Sequence, residues 1–275
     1  MIILTLNNKG GVGKTTLALE VASAFADQFG ARVQGVDLDA SVLEIEGETF
    51  ETGGSFLDWA RSRSAQSSLR VPVLRPSETP RAEELLALGV QHDLLIMDGP
   101  IALSQGTFQA LIAADLVLVP LRPAIFDVRA TANLFARGAR TSLLGLVAKA
   151  RARLHLPPAR VLGVVNFAAP KTQNRELREV RAQAAAAGIE LLPAVLTQRV
   201  AFRRAQVQGE SVLTARPQDP AAAREVKLLA TCVYGAYHGA SGDALEELAK
   251  AQEPDQALDL VQRLAAAKEG ADAAA

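Results

Sequence analysis

The chain has 275 residues, of which 49% are hydrophobic and 21% charged, and its formal net charge is −1 at pH 7. This composition can fill one substantial core, and the balanced charge means that any nucleic-acid-binding surface must be local. No run of about 18 apolar residues occurs, and we expect neither a membrane span nor a secretory leader. The single cysteine, Cys232, excludes a disulfide or a cysteine-ligated cluster within one chain, and its apolar neighbours predict core packing.

Short apolar runs alternate along the chain with longer segments of helical periodicity. The predicted strands are Ile2–Leu6, Arg32–Asp37, Leu94–Asp98, Leu116–Pro120, Val161–Asn166 and Leu191–Leu196. The predicted helices include Lys14–Phe29, Arg81–Leu88, Ala130–Leu154, Arg175–Ala187 and Pro220–Tyr237. Runs that are apolar on both faces are typical of parallel strands buried between helices. The pattern predicts an α/β fold with a doubly wound, mostly parallel sheet, whose ligands bind at the carboxyl ends of the strands.

The composition changes near residue 240. Residues 241–275 contain eight acidic and three basic residues, are rich in alanine, and have apolar residues at helical spacing. Pro254 is placed to begin a second short helix. We therefore predict one domain over residues 1–240 and an acidic helical C-terminal extension over residues 241–275.

The segment after the first predicted strand has the composition of a phosphate-binding loop, and it reads Lys9-Gly10-Gly11-Val12-Gly13-Lys14-Thr15-Thr16. The glycines let the backbone turn its N–H groups toward an anion, and the next helix directs its positive dipole end to the same place. Lys14 supplies a charge for the β- and γ-phosphates, and Thr15 a hydroxyl for Mg²⁺. Asn8 replaces the first glycine of the general pattern G-x-x-x-x-G-K-[ST].

Two acidic sites end later strands. Asp37 and Asp39 share one side of an extended segment, and Asp98 ends an apolar strand as a Walker B aspartate does. Phosphoryl transfer needs a metal ion and a group that positions water. We predict Thr15, Asp37 and Asp98 at the metal and Asp39 beside the water, while capping of strands or helices is the alternative for these aspartates.

The variant K-G-G-x-G-K-T resembles the deviant Walker A loop of the ParA/MinD family of P-loop ATPases, and the resemblance extends over about residues 1–235. It implies that ATP and Mg²⁺ are bound by Gly10, Gly11, Val12, Gly13, Lys14, Thr15, Thr16 and Asn166. Asn166 would contact the adenine edge, and Asp39 would activate water. Lys9 would reach the nucleotide of a second subunit in an ATP-dependent homodimer. The family's usual Pro-Gln after the second aspartate is absent here, where Ala40 and Ser41 follow Asp39.

The late segment 197–212 resembles the small ParA type that lacks an N-terminal DNA-binding domain. This resemblance implies an ATPase for plasmid or chromosome segregation in the cytoplasm, bound to the nucleoid and released when a ParB-like adaptor stimulates hydrolysis. The non-specific DNA surface would use Arg199, Arg203 and Arg204, with Arg175, Arg178 and Arg181 as further candidates. A solvated basic face without a ligand is the alternative.

Four other functions occur among proteins with a loop of this type. A related positioner of protein cargo would use the same cycle with a different adaptor. A MinD-like membrane switch is disfavoured because the extension is acidic and rich in alanine, where an amphipathic membrane helix needs basic residues and bulky apolar anchors. A metabolic ligase of the same fold would need a second substrate pocket, for which we find no motif, and a reductase of the nitrogenase-iron-protein type would need cluster cysteines.

Overall fold

A computed structural model describes residues 1–45, 48–76, 79–124, 131, 143–169, 174–186, 188–250, 259, 261 and 263. The strands are β1 Ile2–Thr5, β2 Val33–Asp37, β3 Ser41–Ile45, β4 Glu48–Thr52, β5 Val73–Leu74, β6 Leu94–Asp98, β7 Leu116–Leu121, β8 Arg160–Ala168 and β9 Glu190–Thr197. The helices are α1 Lys14–Gln28, α2 Ser55–Arg61, α3 Ala82–Val90, α4 Gln105–Ala113, α5 Leu143–Arg153, α6 Asn174–Ala186, α7 Val200–Val207, α8 Pro220–Tyr237 and α9 Asp243–Lys250.

Within the described residues, seven parallel strands form one sheet in the order β5-β2-β6-β1-β7-β8-β9. The predicted doubly wound α/β fold is therefore confirmed. The register pairs Asp98 with both Thr5 and Asp37, so three polar side chains end neighbouring strands at the same edge. The strand order thus brings the loop after β1 and the aspartates after β2 and β6 together.

Helices cover both faces of the sheet, which explains why its central strands are apolar throughout. On β6, Ile96 belongs to one buried cluster, whereas Leu95 and Met97 belong to the other. The first cluster includes residues from α1, α2 and α8, and the second includes residues from α3, α4, α5 and α6. The alternation along each strand therefore divides the core into two layers.

Several elements were not predicted. The hairpin of β3 and β4 pairs antiparallel directly after β2, and α2, α4 and α7 are short helices in segments without a long apolar pattern. Ser104 caps α4, because its hydroxyl accepts a 3.1 Å hydrogen bond from the N–H of Thr107. Part of the helix predicted over 130–154 is observed as α5, while residues 130 and 132–142 of it lie outside the described residues.

The start of the acidic extension packs on the body of the molecule. Leu245 and Leu248 of α9 and Val261 are buried beside α8. Gly235 permits this contact, since a Cβ there would lie 2.7 Å from Leu248 Cδ1. The side chain of Arg181 on α6 donates to Glu246 on α9. The division of the chain near residue 240 stays a prediction.

Two predictions about buried and membrane-spanning segments can be compared with the structure. Cys232 is fully buried in the core, and burial raises the pKa of its thiol to about 12, so core packing is confirmed. None of the helices in the described ranges has the length and apolar character needed to cross a bilayer.

Candidate functional site

The loop between β1 and α1 depends on a glycine next to the helix. Gly13 adopts φ 90° and ψ 37° in the left-handed region and caps α1. A Cβ at this position would lie 2.2 Å from Asn166 Nδ2 and 2.8 Å from the ring of Phe167. The first N–H groups of α1 lack acceptors within the helix, as at every helix start. Gly13 therefore lets the chain enter α1 with these donors directed outward, where an anion binds well.

A threonine of the loop contacts the aspartate that ends β6. Thr15 Oγ1 donates to Asp98 Oδ2 at 2.6 Å, and Thr5 Oγ1 donates to Asp98 Oδ1 at 3.0 Å. Burial raises the pKa of Asp98 to about 7, and the negative charge of Asp37 adds to this rise. The hydrogen bonds from Thr15 and Thr5 and the positive charge of Lys14 lower it. Thr15 and Asp98, both predicted at the metal, are therefore in direct contact, and their binding of a metal ion stays a prediction.

Two carboxylates and partial burial act on the Lys14 ammonium in opposite directions. Burial lowers the pKa of its ammonium, while the charges of Asp98 and Asp39 raise it. Lys14, Asp39 and Asp98 all line a cavity of about 700 Å³, a volume typical of ligand sites. The cavity thus brings the Lys14 cation and the carboxylates of Asp39 and Asp98 together at the carboxyl edge of the sheet.

Asp37, which was predicted at the metal, accepts four backbone hydrogen bonds. Its Oδ1 accepts hydrogen bonds from the N–H groups of Asp39 and Ala40, both at 3.1 Å. Its Oδ2 accepts from Phe56 at 2.8 Å and Leu57 at 2.9 Å, at the start of α2. Burial raises the pKa of Asp37, and these four N–H groups lower it. Asp37 therefore holds the Asp39 loop against α2, and its role at the metal stays a prediction.

Two helices that were not predicted form the far walls of the cavity. Asp58 and Trp59 project from α2, and Gln206 and Val207 from α7. Gln206 Nε2 donates to Thr16 Oγ1 at 2.7 Å, which ties α7 to the start of α1. The complete lining is Gly11, Gly13, Lys14, Thr15, Thr16, Leu19, Asp39, Ser55, Asp58, Trp59, Ser62, Asp98, Gly99, Ile101, Phe167, Gln206 and Val207.

The few oxygen ligands at this edge suit Mg²⁺, which takes most of its ligands from phosphate and water, better than a metal ion that is coordinated by protein side chains alone. Within the described ranges, no group of three or more His, Cys, Asp and Glu side chains is placed to hold a metal ion. Mg²⁺ is usually held by one or two protein oxygens together with phosphates and water. The Thr15–Asp98 pair beside a phosphate-type loop fits that pattern.

Lys9 and Asn166 lie outside the set of residues that line the cavity. The N–H of Lys9 donates to Asn7 Oδ1 at 3.0 Å, and its predicted contact with a second subunit's nucleotide stays a prediction. Asn166 is buried, with Nδ2 donating to Val12 O at 2.9 Å and Oδ1 accepting from the N–H of Phe167 at 3.0 Å. This geometry favours a role in holding the loop, and contact with adenine stays a prediction.

The predicted DNA-binding arginines differ in whether an acidic side chain is paired with them or they are exposed to solvent. Arg199 Nη2 donates to Glu225 at 2.9 Å, and Asp219 lies 4.0 Å from Nη1, so its charge is already compensated. Arg203 and Arg204 are exposed on α7. Among the further candidates, Arg175 pairs with Glu179, Arg181 pairs with Glu246, and Arg178 is exposed.

Arg122 contacts the loop, although it was not among the site residues predicted from sequence. It follows the last residue of β7, and its Nη2 donates to Gly11 O at 2.5 Å. Its guanidinium carbon lies 5.7 Å from the centre of the Phe167 ring. Its place after an apolar strand could have indicated the carboxyl edge of the sheet, but the contact with a residue 111 positions away could not be read from sequence.

Comparisons with known proteins agree with this site. The sequence model described as "CobQ/CobB/MinD/ParA nucleotide binding domain" matches residues 3–212. The chain is 25% identical over 221 residues to maintenance of carboxysome distribution protein A of Halothiobacillus neapolitanus, covering 80% of this chain and 90% of that protein. It is 30% identical over 178 residues to the chromosome-partitioning ATPase Soj of Thermus thermophilus, covering 59% of this chain and 67% of that protein.

The fold is also shared with a solved structure. Septum site-determining protein MinD from Pyrococcus horikoshii OT3, complexed with Mg-ADP, is similar with a TM-score of 0.56 at 20% identity. The similarity covers 84% of this chain and 95% of that chain. At this level of identity the likeness concerns the fold.

Proposed function

The chain belongs to the CobQ/CobB/MinD/ParA nucleotide-binding family, and from this premise we propose that it is a Mg²⁺-dependent ATPase whose bound nucleotide controls dimerisation. The observation that carries the proposal is the contact of Thr15 with Asp98 beside Lys14, at the entrance to α1. It unites a phosphate-type loop with the groups that a nucleotide-bound metal requires. The Mg-ADP complex of the Pyrococcus horikoshii protein, which shares this fold, supports the same class of ligand.

Each residue of the site has a distinct proposed role. The N–H groups of the loop and Lys14 bind the phosphates, and Thr15 and Asp98 hold Mg²⁺, which would neutralise phosphate charge when bound. Asp39 is exposed at the cavity and can accept a hydrogen bond from water that approaches the terminal phosphate. Asp37 fixes the Asp39 loop through the N–H groups of Asp39 and Ala40.

Dimerisation would make the bound nucleotide a switch. In the proposed dimer, Lys9 of each subunit compensates the phosphate charge in the other, and a two-fold axis makes one lysine serve both sites. Loss of the terminal phosphate weakens that attraction, so hydrolysis returns the protein to the monomer. Ile101 and Val207, which are 50% and 77% exposed at the rim of the cavity, offer apolar surface for the partner.

Two kinds of cargo are candidates, protein and DNA, and each is supported by one relative. A protein cargo is supported by the carboxysome-distribution relative, which matches over 90% of its length. A DNA cargo is supported by the chromosome-partitioning relative, and plasmid or chromosome segregation with a ParB-like adaptor is the corresponding proposal. In both cases the ATP dimer would bind non-specific DNA through exposed Arg203 and Arg204, and the adaptor would distinguish the two.

An ATPase assay with four combinations of additives tests the proposal. We expect slow Mg²⁺-dependent hydrolysis by the protein alone and the largest rate when both DNA and the product of a neighbouring adaptor-like gene are present. Lys14→Ala is the negative control, because it removes the phosphate-binding cation. Hydrolysis equal to that of Lys14→Ala under all four conditions would reject the ATPase. An adaptor that binds specific DNA sites would favour DNA as cargo, and one that binds a protein assembly would favour protein.

A further inference from the structure

We propose that Arg122 and Asn166 form a clamp that orients two consecutive peptides of the phosphate loop from outside the cavity. This inference rests on the proposed nucleotide site and assigns its preorganisation to two side chains from β7 and β8. Arg122 donates to the carbonyl of Gly11, and Asn166 donates to the carbonyl of Val12. Within the described part of the chain, neither side chain lines the cavity.

Because the peptide is trans and planar, a contact with its carbonyl also fixes the direction of its N–H. In a planar trans peptide the C=O and the N–H point in opposite directions. An outward carbonyl at Gly11 therefore directs the N–H of Val12 inward, and an outward carbonyl at Val12 does the same for the N–H of Gly13. Successive inward N–H groups form an anion-binding concavity. The two side chains thus hold the loop in its anion-binding form before a nucleotide arrives.

Asn166 is itself held in the orientation that this role requires. Its Oδ1 accepts from the N–H of Phe167, which leaves Nδ2 to face the loop. Phe167 has φ 55°, an uncommon backbone conformation for a bulky residue. Strained backbone of this kind persists where the surrounding contacts determine it, which is common at binding sites.

Phe167 also links the two halves of the clamp. Its ring lies under the Arg122 guanidinium at 5.7 Å and against Gly13, where an added Cβ would approach within 2.8 Å. An arginine above an aromatic face gains a cation–π interaction and loses side-chain freedom. Arg122 is therefore held over the loop although it is exposed to solvent.

Isothermal titration calorimetry on the full chain with ADP and with ATP, each with Mg²⁺, tests the clamp. Arg122→Met removes the donor and keeps an apolar stem over Phe167. We expect the Kd of both nucleotides to rise about tenfold, the scale of one charge-assisted hydrogen bond. Arg122→Lys keeps one donor and the charge, so it should restore most of the affinity. Arg153→Met, on an exposed position of α5, is the control and should bind as the wild type does.

A second measurement separates positioning from folding. The thermal midpoint without nucleotide should be the same in Arg122→Met and Arg153→Met, because Arg122 is exposed and acts on the loop. The clamp would be overturned if Arg122→Met bound nucleotide as tightly as Arg153→Met, or if it lost affinity for ATP alone. A lower thermal midpoint of Arg122→Met without nucleotide would also overturn it. Absence of nucleotide binding by the wild type would overturn the proposed function, and the clamp with it.

Discussion

At the scale of single residues, two buried carboxyl groups show how position decides the role of an acid. Asp98 lies at the cavity and is hydrogen bonded by two threonine hydroxyls. Glu20 lies on α1, fully buried, and accepts hydrogen bonds from the Ser211 hydroxyl at 2.7 Å and from the N–H of Val212. Burial raises the pKa of Glu20 to about 8 from an ordinary value of 4.5, against these hydrogen bonds. Glu20 therefore joins α1 to the segment after α7 and has no direct part in the site.

This raised pKa predicts a pH-dependent stability. Between pH 4.5 and about 8 the unfolded chain loses the Glu20 proton while the folded chain keeps it, so the free energy of unfolding falls as pH rises. Glu20→Gln keeps the shape and removes the titration. Denaturant unfolding should show that the free energy of unfolding of the wild type falls by on the order of 3 kcal/mol from pH 5 to pH 8, relative to the change in Glu20→Gln. Parallel pH profiles for the two proteins would contradict the prediction.

Gly13 permits a second prediction with a matched control. Gly13→Ala places a methyl group 2.2 Å from Asn166 Nδ2 at a positive φ, so the loop must distort. Gly30 also has a positive φ, but nothing lies within 4 Å of the added Cβ. We expect Gly13→Ala to lower nucleotide affinity at least tenfold by calorimetry, whereas Gly30→Ala should lower only stability, by about 1 kcal/mol. Equal nucleotide affinity in the two variants would show that the close approach to Asn166 does not matter.

At the scale of elements, α7 lies between the nucleotide cavity and an exposed basic surface. Gln206 contacts Thr16 on the cavity side. The segment after α7 is fixed to α2 and the residues that follow it, because Trp59 Nε1 donates to Glu210 O at 3.0 Å and Arg63 Nε donates to Gly209 O at 3.1 Å. The α7 segment is thus connected both to the start of α1 and to the α2 region, while Arg203 and Arg204 are exposed on the helix.

The basic face of α7 gives a prediction about DNA. Reversing both charges, in Arg203→Glu with Arg204→Glu, should weaken ATP-dependent binding of DNA at least tenfold for every sequence tested and reduce its salt dependence. Arg199→Glu should act mainly on stability, because it places a second negative charge beside Glu225. Anisotropy of labelled DNA at two salt concentrations checks this, with Arg153→Glu as the control. DNA affinity unaffected by the double reversal would exclude α7 as the surface.

The sequence predicted the elements better than the contacts between them. The β6 and α8 segments were predicted with their observed bounds, because apolar runs and a proline at the helix start are local signals. The hairpin of β3 and β4 and the short α7 carry no long periodic pattern and were not predicted. The hydrogen bonds that join Asp37 to Phe56 and Arg199 to Glu225 span 19 and 26 residues, so they depend on the folded chain and could not be predicted from local patterns.

At the scale of the whole molecule, the sheet order explains why the loop and its polar neighbours meet at one edge. The loop after β1 lies at the centre of the sheet, with the aspartates after β2 and β6 on one side and Arg122 and Asn166 after β7 and within β8 on the other. Every group proposed to act on the nucleotide therefore comes from the same edge. The acidic extension packs on α8 and β9 through α9.

Sedimentation velocity with a non-hydrolysable ATP analogue, ADP or no nucleotide tests the central claim, that ATP converts the monomer into a dimer through Lys9. The wild type should sediment as a dimer with the analogue and Mg²⁺, and as a monomer with ADP. Lys9→Ala should stay monomeric while its analogue affinity, measured by calorimetry, remains close to that of the wild type. A wild type that stays monomeric at saturating analogue, or a Lys9→Ala variant that dimerises as readily as the wild type, would contradict the account.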